Sequence, residues 1–139
     1  MSDVRRFVIP LAAKGKQRPR MANGHAYTPR ETRIYEDDVK RFYISQCHYA
    51  PYPKGVALRL VITFLYAIPK SASMKQRQAM LSGVKKPTVK PDLSNAVKTI
   101  EDALNGLAYY DDAQITDLHP KKRYAIEASI LVEITEDDE

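Results

Sequence analysis

Apolar positions along this chain fall into two rhythms that alternate with polar punctuation. Arg6-Phe7-Val8-Ile9-Pro10 reads as a short strand closed by its proline. The next twelve residues, 12–23, read as a loop, with Pro19 keeping it extended. Thr28-Pro29-Arg30-Glu31 predicts a helix start: Thr28 can cap, Glu31 completes a capping box, and Pro29 suits the first helical position. That helix is expected to run to about Gln46, with Ile34 or Tyr35, Val39, Phe42 and Tyr43 facing the core. Ala57 to Ile68 is rich in β-branched and aromatic residues and predicts a buried strand. Ser71 or Ser73 can cap a short helix through Lys75, Arg77 and Met80 that stops near Gly83.

The clearest helical signal lies later. From Asp92 to Asn105 the residues Leu93, Val97, Ile100 and Leu104, followed by Leu107, step by three or four, and Gly106 provides the stop. Asp111 to Leu118 is expected to be a short strand behind a tight turn, Tyr124 to Thr135 a final strand, and residues 136–139 a frayed acidic tail. No repeat or low-complexity linker divides the chain. These elements define a single α+β domain over residues 1–139, with a small mixed sheet of about four strands and two main helices.

Composition narrows the class. At 139 residues, 44% hydrophobic and 28% charged, the chain is of ordinary globular type, sized for one modest core. Its longest apolar stretch, Val56 to Ile68, is broken by Arg59 and is too short to span a membrane. The start, Met1-Ser2-Asp3-Val4-Arg5-Arg6, has no secretory pattern, and the single Cys47 offers no internal disulfide. A cytoplasmic location is the expectation. Three scattered histidines give no zinc constellation, and the absence of a Gly-rich phosphate loop argues against a nucleotide cofactor.

Charge is more telling by position than in total. Residues 1–91 carry 18 basic and 5 acidic side chains, a net +13, whereas residues 92–139 carry 4 and 12, a net −8; together they give the overall +5. Ten Lys or Arg and no acid lie between Val39 and Pro91. Such a half suits a polyanion, and nucleic acid is favoured over a membrane surface because no basic amphipathic helix with large apolar residues is evident. The plainer reading is that these lysines only solvate loops.

Opposite the apolar stripe of the later helix stand Ser94, Asn95, Lys98, Glu101, Asp102 and Asn105, with Asp92 at its mouth. Alone, Asp92 reads as a cap and Lys98 to Asp102 as an i,i+4 pair. Asp111-Asp112, some twenty residues further on, changes the balance, because the chain must return past the helix to reach them. Oxygen-only donors suit a hard cation such as Mg²⁺ or Mn²⁺. Such an ion in a basic surface is what phosphodiester hydrolysis needs, and Lys98 can stabilise developing negative charge. An Asp-Asp turn without metal is the competing reading.

At these residues the chain resembles the RusA-type crossover junction endodeoxyribonucleases of bacteria and their phages. The resemblance is carried by Lys90-Pro91-Asp92-Leu93-Ser94-Asn95-Ala96-Val97-Lys98, Asp102-Ala103-Leu104-Asn105-Gly106 and Asp111-Asp112-Ala113-Gln114-Ile115. Upstream it extends to Lys16-Gln17-Arg18-Pro19-Arg20, Tyr27-Thr28-Pro29 and Ile68-Pro69-Lys70-Ser71. It implies a small α/β homodimer that resolves four-way (Holliday) junctions by paired symmetric nicks, dependent on Mg²⁺ or Mn²⁺, in recombination and repair. It implies metal-binding roles for Asp92, Asp111 and Asp112, with Asp92, Lys98 and Asp112 catalytic and Ser94, Asn95 and Asp102 as further ligands or supports. Lys14, Lys16, Arg18, Arg20, Lys85, Lys86 and Lys90 would then contact DNA. One departure stands out: Ser94 occupies a position where the family carries a second aspartate. A hydroxyl is neutral and a poorer ligand, so the alternative is a junction-binding protein with weak or lost catalysis. A junction's two-fold symmetry calls for two sites, which favours an isologous pair. Tyr27, Tyr35, Tyr43, Tyr109 and Tyr110 read as core edges or base-stacking groups, the former being the commoner use.

Overall fold

The computed structural model describes residues 3–16, 20–27, 29–47 and 50–139. Its centre is a four-stranded mixed sheet in the order β1-β6-β4-β5, built from β1 (Arg5–Ile9), β4 (Leu58–Ala67), β5 (Ile115–Ala125) and β6 (Ser129–Glu136). β6 pairs antiparallel with both β1 and β4, and β5 runs parallel to β4. A separate hairpin of β2 (Arg20–Ala22) and β3 (His25–Tyr27) follows the first strand. Three helices complete the molecule: α1 (Arg30–Cys47), α2 (Met74–Leu81) and α3 (Leu93–Leu104). The architecture is the α+β class that the patterning predicts.

Strict alternation explains the central strand. Leu58, Leu60, Ile62 and Phe64 of β4 are fully buried, and their intervening neighbours are half-buried. Phe7 and Ile9 of β1, and Ile130, Val132 and Ile134 of β6, point the same way. Against this face pack Val39 and Tyr43 of α1 and Ala96, Val97, Ile100, Ala103 and Leu104 of α3, forming one core cluster. The small Ala96 and Ala103 let α3 approach closely. The opposite sheet face keeps Val8 and Leu131 exposed.

Several boundaries differ from the sequence reading. The segment expected to be a loop through Asn23 ends in the β2–β3 hairpin, whose turn places Asn23 and Gly24 at positive φ (51° and 78°), the Asn-Gly signal of a tight hairpin. Asp111 to Leu118 is not one strand: Asp112–Gln114 forms a 3₁₀ turn, and β5 starts at Ile115 and runs to Ala125. Tyr124 therefore belongs to β5, and the final strand begins only at Ser129. Parallel pairing with all ten positions of β4 holds β5 together despite its polar sequence. On α1, Tyr35 and not Ile34 turns inward, Ile34 being exposed. Ser73, of the two serines considered, caps α2 in a reciprocal box with Gln76. The proposed Thr28 cap and Arg18 lie outside the described residues. The tail expected to fray over residues 136–139 is partly anchored: Glu136 closes β6, Asp137 N–H donates to Ala57 O, its carboxylate accepts from Thr116, and Arg59 reaches Asp137 and Glu139.

Candidate active site

Helix α3 and the 3₁₀ turn after it set the geometry. After Leu104, Gly106 at φ +81° turns the chain back, its N–H donating to Tyr109 O at 2.8 Å. Tyr109 is fully buried, and its hydroxyl donates to Glu101 O at 2.7 Å, pinning the return against the helix. Tyr110 stays exposed. The return brings Asp111-Asp112 level with Lys98.

The turn is held by a residue the sequence reading did not single out. The Gln114 carboxamide is buried and uses both ends: Oε1 accepts from the N–H groups of Tyr110 (2.9 Å) and Asp111 (3.2 Å), and Nε2 donates to the carbonyls of Pro53 (3.0 Å) and Val56 (3.1 Å). Asp111 Oδ1 in turn accepts from Ala113 N–H at 3.2 Å, so Asp111 and Gln114 cap the turn reciprocally. An acid followed three residues later by Gln was the available signal.

Charges converge beside this turn. Lys98 Nζ lies 3.1 Å from Asp102 Oδ1 and 3.3 Å from Asp112 Oδ2, bridging helix and turn. The other oxygen of Asp102 meets the ammonium of Lys16. Asp102 is only 17% exposed, against 54% for Lys98, so this is not the solvated surface pair that the spacing suggested. The two carboxylates raise the Lys98 pKa, Asp102 foremost, and keep the ammonium charged. Glu101 is pushed up by burial and then by the charge of Asp112.

Asp92 stands at the other end of the helix. It holds the N-cap position, but its carboxylate makes no capping bond; instead it accepts from Lys90 Nζ at 2.6 Å and is 56% exposed. Lys90, then the more distant charge of Lys122, holds its carboxyl below the usual range. Asp111 is also lowered, first by the Ala113 N–H and then by hydrogen bonding with Asp112. Ser94 is exposed two residues after Asp92, whereas Asn95 faces the 10–16 segment and accepts from Lys16 N–H at 3.1 Å.

Of the residues read from the sequence, the fold thus gathers Lys98, Asp102, Asp112 and Lys16 into one hydrogen-bonded network. Asn95 joins it through the Lys16 backbone. Asp92 hydrogen-bonds outside it, to Lys90. Among the described residues no group of three or more His, Cys, Asp or Glu is spaced to hold a metal ion. The donors therefore do not make a closed protein cage. Asp92 and Asp111 are exposed and Asp112 is half-buried; carboxylates are the donor type a hard divalent cation takes, commonly one or two of them with water or substrate oxygens as its remaining ligands. Of the basic residues, Lys85, Lys86 and Lys90 lie exposed in the segment between α2 and α3, and Lys14 lies half-buried before the hairpin that Arg20 opens. Lys122, outside the sequence reading, donates to Val89 O at 2.7 Å and stands 5.0 Å from the ring centre of Tyr66, whose hydroxyl donates to Pro91 O. No described helix is long and apolar enough to cross a membrane.

The frame is a small α+β domain: a mixed sheet packed against helices, in which one lysine of α3 joins an aspartate of the helix to an aspartate of the following turn. Comparison with known proteins makes this specific. The family described as endodeoxyribonuclease RusA matches residues 10–135, and the chain belongs to that family. Over 86 residues it is 37% identical to the crossover junction endodeoxyribonuclease rusA of Lactococcus phage r1t, covering 61% of this chain and 59% of that protein. Over 71 residues it is 44% identical to the uncharacterized protein YqaN of Bacillus subtilis (strain 168), covering 50% of each. The chain spans between a half and three fifths of the length of the curated relatives it matches.

Proposed function

We propose that this chain is a divalent-metal-dependent endonuclease that nicks branched, four-way DNA, working as a homodimer so that two sites meet opposing strands. The observation that carries this reading is the Lys98 bridge between Asp102 and Asp112, set beside exposed carboxylates in a family whose phage member is named a crossover junction endodeoxyribonuclease. Asp92 and the Asp111-Asp112 pair would hold Mg²⁺ or Mn²⁺. A cation there would offset phosphate charge and lower the pKa of an attacking water.

The protein's own groups have separable tasks. Lys98, kept protonated by its two carboxylates, presents positive charge where negative charge develops on the scissile phosphate. Gln114 keeps Asp112 at that distance by fixing the turn beneath it. The Lys85–Lys90 segment, ending at Asp92, supplies sequence-independent attraction for the backbone.

Cleavage of a synthetic four-way junction with Mg²⁺ or Mn²⁺ is the test. Asp92→Asn and Asp112→Asn are each expected to lower the single-turnover rate by about 10²-fold or more while leaving the melting temperature within a few degrees. Equal cutting by wild type and both variants would remove the assignment. Binding should weaken with salt, with a log–log slope near −0.9 per phosphate neutralised.

A further inference from the structure

The segment before the hairpin is fastened to helix α3 at several points. Leu11 and Ala13 pack against the core, and the Tyr35 hydroxyl donates to Ala12 O at 2.8 Å. Gly15 lies so close to the helix that a Cβ there would stand 2.5 Å from Asn95 Nδ2 and 3.3 Å from Pro91 Cβ. Lys16 N–H then donates to Asn95 Oδ1 at 3.1 Å, and its ammonium ends on Asp102. The same carboxylate accepts from Lys98 at 3.1 Å. One shielded aspartate thereby receives two lysines from segments more than eighty residues apart.

A lysine placed this way differs from one that merely decorates a DNA-facing loop. A long flexible side chain with no partner samples many rotamers and acts as a steering charge, felt in association. Lys16 is instead held by backbone and ammonium alike, next to Lys98 and through it to Asp112. Glu36 of α1 lies in the same field, where burial holds its carboxyl up and Lys16 pulls it down. Asp102 remains the group that touches both ammoniums.

We propose that Asp102 is a positioning residue for cleavage: it holds Lys16 and Lys98 together as a pair of cations beside Asp112, with Asn95 and Gly15 fixing the register of the incoming segment. This rests on the endonuclease reading above. It moves Lys16 from general backbone contact to the reacting phosphate, and it assigns Asp102 and Asn95 to support and not to metal ligation. It also ties the segment that ends at Lys16, ahead of the β2–β3 hairpin in the chain, to helix α3.

The test combines Asp102→Asn, Asp102→Glu, Lys16→Met and the Asp102→Asn/Lys16→Met double variant, with melting temperature as the folding control. Three readouts separate the roles: amide exchange at Lys16, junction binding without divalent metal, and single-turnover cleavage at saturating enzyme across a Mg²⁺ titration. Asp102→Asn is expected to speed Lys16 exchange about tenfold or more and to slow cleavage by about 10–100-fold, while binding stays within about threefold and the half-saturating Mg²⁺ concentration is unchanged. Lys16→Met is expected to slow cleavage about tenfold, the double variant to be within about twofold of Asp102→Asn, and Asp102→Glu to recover part of the rate. Wild-type cleavage in Asp102→Asn, unchanged Lys16 exchange, multiplying losses in the double variant, or a raised Mg²⁺ requirement would each overturn this proposal alone. A wild-type chain that cuts no junction would overturn the endonuclease reading along with it.

Discussion

Helix α3 has two faces that obey different rules. Its inner face, Ala96, Val97, Ile100, Ala103 and Leu104, is buried in the main core cluster and settled by packing. Its outer face carries Ser94, Lys98, Glu101 and Asp102, where charge and hydrogen bonding decide the arrangement. The inner face answers to volume, and a lost methylene is felt by the whole fold. The outer face answers to charge, and an isosteric change there should leave the fold alone while altering chemistry. Stability and function are thus separable on one element of twelve residues.

The sharpest way to break that separation is to cut the inner face. Ile100 is fully buried, and Ile100→Ala is expected to cost about 2–5 kcal/mol through lost transfer energy and an unfilled cavity. A denaturant titration should show a lower midpoint with an unchanged slope. Binding and cleavage should then fall together, in proportion to the unfolded fraction. A variant that kept its midpoint but lost cleavage would place Ile100 in the chemistry and erase the distinction.

Much less should change in stability when Ser94 is altered. It is exposed, two residues after Asp92, at the position where the family resemblance implies a second aspartate. Ser94→Asp adds a second carboxylate to the mouth of the helix, near its positive end. The expected outcome is a severalfold lower Mg²⁺ concentration for half-maximal cleavage, with the melting temperature moving by only a degree or two. If wild type cuts no junction and Ser94→Asp restores cutting, the chain is a junction binder whose catalysis lapsed at this position. If wild type is already brisk and the variant identical, Ser94 has no part in holding the cation.

The same two rules explain what the sequence disclosed. Packing selects residue types and repeats with a period, so β4 was legible from its β-branched and aromatic run, and the inner face of α3 and most of α1 from their spacing. The hairpin was read as loop although Asn23-Gly24 carried its turn signal, because its three-residue strands are too short for periodicity to find. β5 escaped for a different reason: it is an edge strand whose polar run, Lys121-Lys122-Arg123, shows no alternation, and its order comes from pairing with β4. At the site, local motifs pointed to Asp92, Lys98, Asp111 and Asp112. No local pattern could reveal that Lys16, 86 positions away, ends on Asp102, since tertiary contacts between ions leave no period in the chain. Gln114 was hidden differently, as an ordinary polar residue whose weight comes from the four backbone groups it joins.

Glu101 offers the finest test, because it sits where the two faces meet. Its backbone carbonyl accepts from the buried Tyr109 hydroxyl, and its carboxyl is raised in pKa by burial and by Asp112, with Lys98 opposing. A carboxyl whose folded pKa exceeds its unfolded value favours the protonated form in the native state. Its ionisation therefore costs stability as the pH rises through the raised value, and that cost persists at neutral pH. Glu101→Gln keeps the shape and removes the charge, so the melting temperature should rise slightly at pH 7. The gain should shrink toward zero as the pH drops below the ordinary carboxylate range, where wild-type Glu101 is protonated in both states. Asp92 and Asp111, lowered in the folded protein, run the opposite way: their contribution is present above that range and is lost as the pH falls through it. Thermal melts of wild type and Glu101→Gln across the acidic limb separate the two signs. A gain that grew on acidification would mean that Glu101 stabilises the fold as an anion, and the boundary between the packed and the charged face would have to be drawn elsewhere.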